Sequence, residues 1–289
     1  MLLRWIVTNY LRQNGEQTVR KVAGELLSSR KPRIARDSAS PDEPSGCDVA
    51  VLFALPIESA GMVDRLTEVV STRCESFVEH TGLVAGKQVV VAEMGLGQTA
   101  ATQAAADIIR FHQPRWLISA GFAGGLRDDV RPGHLVLVDK VVRAGSEPLA
   151  IGLQCDAEWL AANRGVHAGK LITVDEIVRT AAEKRTLAEQ YGAIACDMET
   201  FAVADVCRLQ QTSLLAVRVI TDAVDDTLPV EIDRLMRQKS LAGKLGAAAS
   251  AILSRPTAAK DLWELRGVAL KSSDRLAKFL ESMIEQLPA

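Results

Sequence analysis

From Cys47 onward the chain alternates short β-branched runs with alanine-rich segments of helical period, and this alternation most restricts what it can fold into. Continuously apolar strands need cover on both faces, and helices between them supply it. Strand candidates are 48–54, 88–93, 116–119, 134–142, 170–174, 193–196 and 213–220. The intervening segments 57–69, 99–111, 180–191 and 199–210 repeat apolar residues at helical spacing. The pattern predicts an α/β domain over 47–254, in which helices flank a sheet. With 289 residues, 48% of them hydrophobic, the chain can bury a substantial core.

The flanks differ. Residues 1–46 begin with a helical pattern in which Val19, Val22, Ala23, Leu26 and Leu27 share a face. Segment 28–44 is rich in Ser, Pro and charge, with Arg30, Lys31, Arg33 and Arg36 close together, and reads as a linker. A solvated tether explains that basic run simply. The sharper reading is a weak contact with an anionic membrane surface, aided by Leu2, Leu3, Trp5 and Ile6. Residues 255–289 read as one or two amphipathic helices, with Leu262, Leu265 and Ala269, then Leu276, Phe279, Leu280 and Met283 at helical spacing. Such a face packs back on the domain or onto a second subunit.

Charge and cysteine usage narrow the function classes. A formal net charge of −2 provides no basic field, so nucleic acid is not expected as a partner. The five cysteines contain no CxxC pair, and the four histidines show no zinc-binding spacing. Reduced thiols, no metal and a cytoplasmic location are expected. No apolar run approaches the roughly 20 residues that span a bilayer, and Arg4 interrupts the N-terminal one, so no signal peptide is expected.

Two acids stand at the edges of apolar elements: Glu199, within Cys196-Asp197-Met198-Glu199-Thr200, and Asp222, after Ala216-Val217-Arg218-Val219-Ile220-Thr221. Acids there are costly unless a ligand or partner uses them. Two glycine turns follow strands, Met94-Gly95-Leu96-Gly97 and Gly121-Phe122-Ala123-Gly124-Gly125. The first approximates a dinucleotide fingerprint, but no strand ending in Asp or Glu follows at the required distance, so no nicotinamide cofactor is expected. What remains is backbone that can approach a flat or anionic group closely, or simply two tight turns.

Ala54-Leu55-Pro56-Ile57-Glu58, Met94-Gly95-Leu96-Gly97, Gly121-Phe122-Ala123-Gly124-Gly125-Leu126, Asp197-Met198-Glu199 and Thr221-Asp222, in this order, resemble the purine and uridine phosphorylase superfamily. Within it the chain is most similar to the methylthioadenosine/S-adenosylhomocysteine nucleosidases and to hopanoid-associated nucleosidases. The resemblance covers about 48–253 and implies a three-layer αβα fold with a central mixed, twisted sheet. It implies cleavage of the bond between a purine and ribose without a cofactor, on a small nucleoside substrate with water or phosphate as co-substrate, in a homo-oligomer. Asp222 matches the acid for the departing base, Glu199 the carboxylate that holds the ribose hydroxyls, and Glu58 the residue that activates water. Met198 would pack on the sugar, Ala123 and Gly124 would admit the base, and Gly95 and Gly97 belong to the ligand-cradling turn. Each acid also has a plainer use: Glu58 favours a helix dipole, and Asp222 caps a helix or closes a turn. Arg218, inside a strand, needs a carboxylate partner, and one of these site acids is the expected one.

Departures from the family pattern bear on the substrate. Phe122 stands where the nucleosidases have a serine, and Ile177 where they offer an aromatic to stack on adenine. Segment 142–169 is shorter, which implies a more open pocket suited to a bulkier 5′ substituent such as a hopanoid. Arg127 and Arg131 follow the glycine segment as surface charges, and no arginines surround it in the phosphorylase manner, which favours hydrolysis. The alternatives are a phosphate-dependent purine nucleoside phosphorylase and a non-catalytic nucleoside-binding or scaffolding module.

Overall fold

The computed structural model describes residues 46–152, 155–228 and 258–288. The N-terminal helical face, the basic linker and the side chains of Leu262 and Leu265 lie outside the described residues.

The elements run β1 (Val49–Phe53), α1 (Pro56–Val63), β2 (Thr67–Arg73), β3 (Val78–Val84), β4 (Lys87–Glu93), α2 (Gln98–His112), β5 (Trp116–Gly125), β6 (Leu135–Val142), β7 (Leu149–Ala150), α3 (Ala157–Ala162), β8 (Val166–Thr173), α4 (Ala181–Tyr191), β9 (Ala195–Asp197), α5 (Thr200–Leu209), β10 (Ser213–Asp222) and α6 (Ala258–Gln286). All ten strands belong to one mixed sheet. One arm runs β5-β1-β4-β3-β2; the other runs β5-β9-β8-β6-β10, and β10 pairs back onto β5, so this half closes on itself.

Strand β1 lies between β4 and β5 and is parallel to both, with Val51 opposite Val91 and Ile118. It is covered on both faces, which is why its sequence is uninterrupted Val-Ala-Val-Leu-Phe. Val49, Val51 and Phe53 point to one layer, with Met62 of α1 and Leu276, Leu280 and Ile284 of α6. Ala50 and Leu52 point to the other, with Ala101, Ala104 and Ile108 of α2 and Val203 and Val206 of α5. The period-two alternation of a strand thus builds the expected three layers.

The short elements β7 and α3 have no counterpart in the sequence reading, and three further features depart from it. The helix expected over 57–69 stops at Val63, and from Thr67 the chain is edge strand β2, exposed throughout. Val69, the last residue of the expected helix, is a solvent-exposed edge residue. Second, Gly121 to Gly125 do not form a turn but continue β5, with Gly121 to Gly124 paired to Arg218 to Asp222 of β10 and Gly125 to Ala195 of β9. Third, β3 and β4 form a hairpin closed by Ala85 and Gly86, both at positive φ (50° and 78°), a turn that conforms to strand twist.

The C-terminal segment is one helix, α6, packed on α1. Leu276, Leu280 and Met283 enter the core, and Phe279 packs beside it. Ser273 Oγ donates to the carbonyl of Glu58 at 3.1 Å and accepts from Gly61 N–H at 3.0 Å. The approach is close enough that a Cβ on Gly61 would lie 2.8 Å from the Ser273 carbonyl oxygen. In an exposed helix interior Gly→Ala stabilises by roughly 0.5–1 kcal/mol. Here the sign reverses: Gly61→Ala is expected to destabilise by about 1–3 kcal/mol through overpacking, measured by urea unfolding.

Candidate active site

The C-terminal ends of β1, β5, β9 and β10 meet at one cavity of about 370 Å³. Glu58, Glu199 and Asp222, far apart in sequence, all line it. Phe122, Ala123, Gly124, Met198 and Ile177 line it too. Gly95 and Gly97 are not lining residues; Gly97 acts at one remove, because its N–H donates to Glu199 Oε1 at 2.8 Å. Both glycines have φ near +85° (84° and 88°), which a side chain would resist.

Glu58 sits in the first turn of α1, 6% exposed. Its Oε2 accepts the N–H of Leu55 at 2.8 Å, and its Oε1 accepts the N–H of Phe122 at 2.8 Å. A Cβ at Gly121 would come within 2.9 Å of Oε1, so any side chain there would displace this carboxyl from its place beside β5. Burial raises the pKa of Glu58, opposed by those backbone donors and by the charge of Arg218.

Glu199 precedes α5 and is 7% exposed. Its pKa is pushed up to about 8, first by burial and then by the negative charge of Asp197, against the Gly97 N–H. Asp222 ends β10, opposite Gly124 of β5. A Cβ on Gly124 would lie 3.1 Å from Asp222 Oδ2, so this glycine also makes room for an acid. Asp222 Oδ1 accepts the Thr221 hydroxyl at 3.0 Å. Burial raises the pKa of Asp222, opposed chiefly by the charge of Lys184.

Lys184, on α4, is fully buried, and its Nζ lies 2.6 Å from Asp222 Oδ2. The ammonium also donates to the carbonyls of Ala223 (2.6 Å) and Asp226 (3.0 Å), so the ion pair with Oδ2 and these two carbonyls together satisfy it. Sequence reading missed Lys184. The available signal was its place on the helical face of Leu187, Ala188 and Tyr191, at i, i+3, i+4 and i+7.

Arg218 does not pair with any of the three acids; its partner is Asp197. Its Nη2 donates to Asp197 Oδ2 (2.9 Å), Thr200 Oγ1 (2.6 Å) and Ser119 Oγ (2.9 Å). Asp197 was better placed to bind it because Oδ2 also accepts Thr200 N–H at 2.9 Å, and Oδ1 the Thr173 hydroxyl at 2.7 Å.

The rest of the lining is largely apolar and includes Leu55, Ile57, Leu96, Val174, Leu228 and Val268. Val268 and Ala269 come from α6, and Cys196, with its thiol pushed up to about 12 by burial, from β9. Among the described residues no group of acidic, histidine and cysteine side chains is placed to hold a metal ion.

The raised pKa of Glu199 has a consequence for stability. Protonation of the buried carboxyl favours the folded state, so this contribution is fully present below its ordinary value of 4.5 and is lost as pH rises through about 8. Glu199→Gln cannot ionise. Its stability relative to the native chain is expected to increase steadily between about pH 5 and 8, read from urea midpoints across that range.

Comparison with known proteins agrees with this architecture. The phosphorylase superfamily model matches residues 48–255. A 5′-methylthioadenosine/S-adenosylhomocysteine nucleosidase from Shewanella pealeana is 26% identical over 207 residues, 64% of this chain and 90% of that protein. The same nucleosidase from S. pneumoniae, solved with a transition-state inhibitor, superposes with a TM-score of 0.63 at 17% identity, covering 83% of this chain and 100% of that one. A futalosine hydrolase from Helicobacter pylori superposes with a TM-score of 0.62 at 18% identity, covering 83% and 98%. Family match, fold and site geometry together show that the chain belongs to the phosphorylase superfamily.

Proposed function

We propose that this protein is a nucleosidase that hydrolyses the N-glycosidic bond of a purine nucleoside. The observation that carries the reading is the convergence of three buried carboxyls, each in a different electrostatic setting, on one apolar cavity. Paired titratable groups with distinct environments divide acid and base roles between them.

In the proposed reaction the bond between the ribose C1′ and the purine nitrogen breaks, and its electron pair leaves with the base. Asp222, kept protonatable by burial, gives a proton to a ring nitrogen of that base. Glu58 takes a proton from water, whose oxygen bonds to C1′ as positive charge develops on the sugar. Its two backbone donors fix the carboxylate for this task. Glu199 holds the ribose hydroxyls, Met198 packs on the sugar, and Gly124 leaves room for the base beside Asp222. Free purine and the ribose derivative are the products.

The lining supports water over phosphate as the nucleophile. Among its described residues are five acids, Glu58, Glu176, Asp197, Glu199 and Asp222, and no lysine or arginine. A phosphate dianion would meet repulsion without a cation to receive it. The relatives named for methylthioadenosine favour an adenine nucleoside with an apolar 5′ group. The apolar wall of Ile57, Phe122, Ile177, Leu228 and Val268 suits a substituent larger than methylthio, such as a hopanoid.

Incubation with adenosine, methylthioadenosine and a lipid-linked adenosine, with and without phosphate, tests the reading. Free base is expected without phosphate, fastest from a substrate with an apolar 5′ group. Asp222→Asn is expected to lower kcat by about 10²–10⁴-fold. Strict dependence on phosphate would establish the phosphorylase alternative, and unchanged release by Asp222→Asn would point to another acid.

A further inference from the structure

We propose that Lys184 is a positioning residue for Asp222: its buried ammonium aims the carboxyl at the cavity and governs how readily it takes up and releases a proton. The inference rests on the acid role given to Asp222 above.

The helix that carries Lys184 makes the placement unusual. On α4 it is the one buried residue, while Glu183 and Arg185 on either side are exposed. An apolar side chain would cover the sheet there without desolvating a charge, and a buried ammonium is tolerated only when its donors are met. They are met by one structure, the segment that follows β10. Two donors go to the carbonyls of Ala223 and Asp226, and Asp222 Oδ2 lies 2.6 Å from the same nitrogen. The segment is braced independently: Asp226 Oδ2 accepts the Ala223 N–H at 2.7 Å, and Arg185 pairs with Asp225 at 2.5 Å. Lys184 is therefore not required merely to close the turn.

The groups facing Asp222 come from four sides. Lys184 comes from α4, Asp226 from the segment after β10, the Cys196 thiol from β9 and the Thr221 hydroxyl from its own strand. On β5 the facing residue, Gly124, has no side chain. Among these, Lys184 is the one cation. Burial and Asp226 favour the protonated carboxyl, and Lys184 opposes them. Without the ammonium, Asp222 would hold its proton more tightly and lose the contact that fixes Oδ2. A tightly held proton is slower to pass to the departing base.

The sign follows. Because Asp222 must be protonated to act, kcat falls as pH rises through the pKa of Asp222 in the substrate complex. Removing the cation raises that pKa, so the alkaline limb moves up. The test compares Lys184→Met, Lys184→Gln and Lys184→Arg with the native protein in kcat and KM against pH, alongside ¹³C-carboxyl titration of Asp222 without substrate. Lys184→Gln keeps donors for the turn without the charge and serves if Lys184→Met does not fold. Expected for the neutral variants are a loss of about tenfold or more in kcat, little change in KM, and both the limb and the carboxyl titration shifted up by about one pH unit or more. Lys184→Arg should bring both back toward native. A folded neutral variant with unmoved limb and carboxyl titration overturns the proposal, leaving Lys184 a purely structural role. If no nucleoside releases base with the native protein, the functional reading fails, and the carboxyl titration alone still decides whether Lys184 governs Asp222.

Discussion

The buried pair between Arg218 and Asp197 is the interaction on which the closed half of the sheet depends. Arg218 is 2% exposed and lies in the middle of β10, where a bare guanidinium would not be tolerated. Its fork reaches Asp197 at the end of β9, Thr200 at the start of α5 and Ser119 on β5. Asp197 in turn holds Thr173 at the end of β8. Three strands and a helix are thus locked to β10 beneath the cavity, and the strands lead to lining groups shortly beyond their locks: Asp222 after Arg218, Glu199 after Asp197, Phe122 after Ser119 and Val174 after Thr173. Desolvating two charges is costly, and the hydroxyls and the Thr200 N–H offset it by occupying the remaining donors and acceptors.

The same pair explains the electrostatics above it. Arg218 is committed to Asp197, so its charge only moderates Glu58 and Glu199, and burial prevails at both. Each acid is compensated differently: two backbone N–H groups for Glu58, one for Glu199, an ammonium for Asp222. Chemically similar side chains thereby stand in different electrostatic settings within one cavity, with burial raising the pKa of each.

Much of this was legible in the chain. Strands β1, β4, β6 and β10 and helices α2, α4 and α5 were expected close to their observed bounds, because doubly covered strands are continuously apolar and the helices have one clear face. Edge strand β2 was not, since exposure on both faces removes the alternation that marks a strand. The glycines of β5 suggested a turn, and their reason is visible only in three dimensions: carboxyls of Glu58 and Asp222 occupy the space that side chains on Gly121 and Gly124 would need. The three acids that line one cavity were singled out from motif context, whereas the partners of Arg218 and Asp222 were not. Asp197 and Lys184 are ordinary charged residues in sequence, and only burial distinguishes them from solvated ones.

The hydroxyl of Ser273 that bridges the Glu58 carbonyl and the Gly61 N–H gives the chain a temporal order. Helix α1 is short, and a helix of two turns has little stability of its own. Its seat is made by α6, more than two hundred residues later in sequence. During synthesis the segment bearing Glu58 emerges early and waits for α6 before it can be held. A nascent or cleaved chain that lacks α6 therefore leaves the turn bearing Glu58 without the hydroxyl and the apolar face that seat it.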